Sequence, residues 1–105
     1  MTFHESIRNS RRVLVLRGDF DVFVVRSFLR RIDLIVASGC RDLTLDLGGV
    51  PFLGARGVSA LLAARETLEA RGGALHLTGL DDLARWTLAT CGVDQHLLGD
   101  TQRAA

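Results

Sequence analysis

The chain has 105 residues, 48% of them hydrophobic and 24% charged, and a formal net charge of +1. That length suits one domain with a single modest core, and the near-neutral balance gives no bulk electrostatic ground for binding nucleic acid or an anionic membrane. All thirteen basic residues are arginine, which excludes Schiff-base chemistry, a lysine general base and a Walker A phosphate loop.

The amino end predicts a short edge strand over Thr2–Asn9 and a firmer one over Arg12–Arg17. The short polar link between them, Arg8 to Arg11, points to an antiparallel hairpin. Gly18-Asp19-Phe20-Asp21 breaks the second strand, and Asp19 or Asp21 is placed to cap the helix that follows. That helix runs from Val22 to Ser38, with Val25, Phe28, Leu29, Ile32, Ile35 and Val36 on one stripe and Gly39 as its stop.

Leu43, Leu45 and Leu47 alternate with Thr44 and Asp46, the period of a half-buried strand. Gly48, Gly49 and Pro51 are expected to end it. Val58, Leu61, Leu62, Arg65 and Leu68 then recur at helical spacing, the Arg65 stem lying along the apolar stripe. The turn Leu53-Gly54-Ala55-Arg56-Gly57 therefore falls where a strand hands over to a helix amino end, a place with free N–H groups and a positive dipole end.

Gly72-Gly73 closes the second helix. Ala74–Thr78 reads as a strand with Leu75 and Leu77 on one face and His76 on the other. A third helix spans Asp81–Cys91, opened by Asp81 or Asp82, with Leu80, Ala84, Leu88 and Cys91 sharing a face. Trp86 lies about 200° round from Ala84. It is read either as an exposed interface anchor or as covered by Leu97 and Leu98. The end, GDTQRAA, is expected to fray.

Strands and helices alternate after an opening hairpin, so the sheet should be mixed, with parallel strands joined by right-handed crossovers. The sequence holds no GxSxG, HExxH, P-loop or dinucleotide pattern, so no enzyme is expected. His4, His76 and His96 have no evident partners and are read as structural or exposed. Cys40 and Cys91 lack metal-ligand spacing, so neither metal nor cofactor is expected. A disulfide between them would require Cα atoms within about 7 Å. No apolar run has the length of a membrane span and the amino end lacks a signal-peptide core, so a cytoplasmic location is expected.

The run from Leu45 to Leu80 resembles the STAS domains of bacterial anti-sigma factor antagonists. Asp46, Leu47, Gly49, Val50, Phe52, Gly57 and the Gly72-Gly73 pair follow that family's pattern. Gly18-Asp19-Phe20-Asp21 is similar to its Gly-Glu-Leu-Asp, and Cys91-Gly92-Val93-Asp94 to its Thr-Gly-Leu-Asp. The likeness extends from about Val13 to Leu97. It implies an α/β fold: a mixed four- to five-stranded sheet with its helices mainly on one face. Family members usually continue with a further strand-like segment and a terminal helix, so the short end here is expected to leave apolar surface for a second subunit.

Where the family has Asp-Ser-Ser-Gly, this chain has Gly54-Ala55-Arg56-Gly57. The resemblance thus puts Arg56 at the position of the family's phosphoacceptor serine, and arginine has no hydroxyl to phosphorylate. Ser59, Thr44 and Thr87 remain as other acceptors. The implied function is docking onto an anti-sigma factor with serine kinase activity, to control sigma-factor-dependent transcription, without the usual phosphate switch. The implied docking residues are Asp21, Phe52, Gly54, Ala55, Arg56, Gly57 and Ser59, with Trp86 as a further anchor. The alternative is a nucleotide- or anion-sensing module, or a scaffold STAS subunit of a transporter or stress-signalling assembly, self-association included.

Overall fold

The computed structural model describes residues 1–8 and 11–90. The hairpin comes first: β1 (Thr2–Arg8) runs antiparallel to β2 (Arg11–Arg17), with Arg8 opposite Arg11. Then α1 (Val22–Ala37) crosses to β3 (Asp42–Gly49), α2 (Ala55–Glu69) to β4 (Ala74–Thr78), and α3 (Asp82–Thr90) follows. β2, β3 and β4 are parallel, and the sheet order is β1-β2-β3-β4. The expected mixed sheet is thus present with four strands.

Register explains the core. Leu14, Leu45 and Leu77 stand side by side across the three parallel strands, and Leu43 pairs with Leu75. All five are fully or almost fully buried, in one cluster with Phe28, Ile32 and Ile35 of α1 and Leu61, Ala64 and Leu68 of α2. Each such side chain contributes roughly 1.5–3 kcal/mol by leaving water. The helical stripes face this layer: Val25 and Leu29 pack half-buried at its margin, and Leu88 of α3 reaches it as well.

Two expectations for β3 are corrected. The strand does not stop before Gly48 but continues to Gly49, which pairs with Arg17 beyond a bulge after Val15. A Cβ at Gly49 would stand 2.9 Å from the Leu16 carbonyl oxygen and 2.7 Å from Arg17 Cγ. Glycine here is what lets β3 stay paired with β2 rather than what ends it. The second correction concerns the far face of β3: Thr44, on the polar side of a strand expected to be half-buried, is buried, as are its β2 neighbours Val13 and Val15. These residues belong to the two central strands, and Arg8 of β1 reaches over β2 to Asp46 of β3 at 3.4 Å, helping to close that face.

A different glycine fixes the join of α2 to β4. A Cβ at Gly73 would lie 1.9 Å from the Arg41 carbonyl oxygen, the same oxygen that accepts from the Ala74 N–H at 2.9 Å. No other residue fits there without moving the backbone at the start of β3.

Candidate functional site

Three parallel strands each lead directly into a helix, so the amino ends of α1, α2 and α3 gather at one end of the sheet. Two of the three are capped in the same way. Asp21, extended at φ −103°, accepts from the Phe23 and Val24 N–H groups, both at 2.9 Å. Asp81 accepts from the Ala84 N–H at 2.7 Å. Each carboxylate satisfies orphan donors and offsets the positive dipole end.

The start of α2 is built differently. Its N-cap is Gly54, with no side-chain bond to the first turn, and that turn holds no acidic residue. Its early amides therefore lack a carboxylate, and an arginine, Arg56, stands among them, exposed. The approach is set by a tight turn in which the Val50 N–H donates to the Leu47 carbonyl at 3.0 Å. Leu53 is then buried while Phe52 is turned outward, 65% exposed. Gly54 sits under the Phe52 ring, where a Cβ would come within 2.9 Å of Cε1.

Gly57 was expected on the docking surface, but it is buried: a Cβ there would meet Leu53 Cδ1 at 2.6 Å and Phe20 Cδ2 at 3.2 Å. Its part is to let α2 seat against Phe20, not to offer contact. Phe20 in turn packs edge-on to Phe28, ring centroids 5.4 Å apart, so the entries to α1 and α2 are locked to one another and to the core.

Of the other singled-out residues, Phe52, Ala55, Arg56 and Ser59 are exposed, Gly54 is half-buried, and Asp21 sits next to them at its cap. Arg56 stands between two hollows. One is lined by Asp19, Phe20, Phe52, Gly54 and Ala55; the other by Val22, Val25, Ala55 and Ser59. Trp86 is 64% exposed on α3 beside the exposed Leu83, but it lines neither hollow.

Sequence reasoning missed Val22 and Phe23, which expose 56% and 84% of their surfaces at this same end. The signal was there: Phe23 lies about 180° from the centre of the buried stripe of α1. An aromatic opposite a core stripe is a surface residue, and with Val22 next to it the exposed apolar area is more than a single scattered side chain.

Elsewhere the chemistry is sparse. His76 Nε2 lies 3.8 Å from Asp42 Oδ1, a loose pairing on the far face of the sheet, and His4 is exposed. Cys40 carries a free thiol that donates to the Asp42 carbonyl at 3.3 Å. Cys91, His96, Leu97 and Leu98 lie outside the described residues, so their pairing with Cys40 or cover of Trp86 does too. Thr44 is buried, and the Thr87 hydroxyl donates to the Leu83 carbonyl at 2.9 Å, which leaves Ser59 as the exposed hydroxyl of the site. Among the described residues no cluster of three or more His, Cys, Asp or Glu is placed to hold a metal, and no helix is long and apolar enough to cross a membrane.

Comparison with solved structures agrees with the architecture. An anti-sigma factor antagonist from Mycobacterium paratuberculosis superposes with a TM-score of 0.76 at 24% identity, over 90% of this chain and 80% of that one. The Bacillus cell fate determinant SpoIIAA in its phosphorylated form gives 0.72 at 20% identity, over 95% and 88%. A sulfate transporter family protein from Wolinella succinogenes gives 0.74 at 25% identity, over 88% and 75%. No curated protein sequence matches the chain. The family profile described as "Mlab, STAS domain" matches residues 3–99. The chain is a member of the STAS-domain family.

Proposed function

We propose that this STAS domain is a protein-binding regulatory module of the anti-sigma factor antagonist kind. It docks a partner, an anti-sigma factor of the serine-kinase type, with the start of α2 and the Phe52 turn, in the cytoplasm of a bacterium. The observation that carries the reading is the start of α2, without a side-chain cap, where exposed Arg56 stands between two hollows with Phe52 lining one and Val22 the other. Exposed aromatic and arginine side chains are the residue types that anchor interfaces.

Arg56 takes the position at which relatives of the antagonist kind carry a modifiable serine. Phosphorylation there would place about two negative charges on the contact; a guanidinium keeps the opposite sign at all times. On this reading the module holds its partner without phosphate-controlled release, and it has no catalytic activity of its own.

The test is to incubate the pure chain with a serine-kinase anti-sigma factor and ATP, then measure complex formation and intact mass. A stable complex with no adduct of about 80 Da is the expected result; an adduct on Ser59 or on the Phe52 turn, with loss of the complex, would refute it.

A second reading, a regulatory subunit of a transporter, draws on the likeness to the Wolinella sulfate transporter family protein. If that subunit senses nucleotides, millimolar nucleotide should raise the melting temperature. The docking reading predicts no shift.

A further inference from the structure

Beyond the α2 turn, the flank of α1 carries an unusual combination of side chains. Its buried stripe faces the sheet, but the opposite side exposes Phe23 and Leu34, which fall within about 20° of one another around the helix. Arg26 and Arg30 are exposed one turn apart beside them. Towards α2 the same helix offers Val22, Val25 and Leu29. The hollow they line shares Val22 and Val25 with the one beside Arg56 and Ser59, so the two make one open groove that starts between α1 and α2 and continues along the flank of α1.

The groove has an apolar floor and a cationic rim. Arg8, Arg31 and Arg65 each lie within 4 Å of a carboxylate, at 3.4, 3.3 and 3.8 Å. No ion pair among the described residues engages Arg26, Arg30 or Arg56. Asp21 is occupied as the α1 cap and the first turn of α2 holds no acid; Asp33 lines the groove beside Arg30 and Asp19 lines the hollow on the other side of Arg56, but neither forms an ion pair with these arginines. From Val22 to Arg30 the floor runs about 12 Å, the length of roughly two helical turns.

Resting on the docking reading above, we propose that this groove receives an acidic amphipathic helical segment of the protein partner. Its apolar side lies on Val22, Val25 and Leu29, and its carboxylates meet Arg26, Arg30 and Arg56. Guanidinium groups match carboxylates bidentately, and an amphipathic helix lays its apolar face into an apolar groove. A lipid surface fits less well, because Val25 and Leu29 are half-buried and offer a flat bilayer less apolar area than an inserted side chain.

A displayed library of random peptides about 16 residues long, enough for four helical turns, is panned against the full chain. Selected peptides are then titrated against the parent, Arg26→Glu/Arg30→Glu, Arg26→Gln/Arg30→Gln and Arg56→Ala, with melting curves to verify folding. The selected peptides should pair apolar residues at helical spacing with two or more carboxylates. They should bind the double glutamate variant about tenfold or more weakly and the glutamine variant with a smaller loss.

Failure to enrich any peptide, enrichment without acidic bias, or equal affinity for the glutamate variant would overturn the proposal. So would binding of phosphatidylglycerol vesicles that Arg26→Glu/Arg30→Glu abolishes while peptides bind unchanged. The native partner separates the two ideas: lost affinity only for Arg56→Ala leaves the docking reading standing and removes the groove. Full affinity for both variants removes both.

Discussion

The starts of α1 and α2 lie side by side at one end of the sheet and are built by opposite rules. α1 opens on an aspartate that accepts two backbone N–H groups at 2.9 Å. α2 opens on a glycine with no side-chain bond, no acid in its first turn, and an arginine there instead. A cation at that place opposes the macrodipole. Local stability favours the first arrangement, so helix stability does not account for the arginine in the second. Both starts are held by one aromatic contact, Phe20 on Phe28, so the difference lies in the exposed side chains and not in the support beneath them.

That contrast can be broken most severely from below. Phe28 is fully buried and meets both Phe20 and Phe3; Phe28→Ala should cost about 3–5 kcal/mol in a denaturant titration and loosen both helix entries together. Asp21→Ala removes the α1 cap alone and should cost roughly 0.5–2 kcal/mol. Arg56→Ala should act in the other direction on stability, raising it by about 0.3–1 kcal/mol while weakening partner binding. The smallest effect belongs to Gly54→Ser, which gives α2 the side-chain cap it lacks for roughly a few tenths of a kcal/mol. The exposed Phe52 ring must swing aside to admit the new Cβ. If Gly54→Ser instead destabilises by more than Asp21→Ala, the account of the two helix starts is wrong.

Much of the frame was legible because burial leaves a period. The alternation of Leu43, Leu45 and Leu47 and the stripe from Val25 to Val36 predict the layers that the structure builds. Gly48-Gly49 misled, since the same residue that usually ends a strand also permits two backbones to approach closely, and only the partner strand reveals which applies. Thr44 was harder still, because the far face of β3 is closed in part by Arg8, which reaches Asp46 from 38 residues away. At the site, the uncapped turn and Arg56 could be read directly. The exposure of Phe23 is not part of that pattern: the stripe from Val25 to Val36 defines the buried side of α1 and says nothing of the apolar residues opposite it.

The affinity of one partner for two proteins tests the central claim most directly. An anti-sigma factor captured from the native cytoplasm should be titrated, by calorimetry, with the parent chain and with Arg56→Ala of confirmed fold. The account predicts that Arg56→Ala binds about tenfold more weakly, a loss of roughly 1.4 kcal/mol. Equal affinities would contradict it and take Arg56 out of the contact.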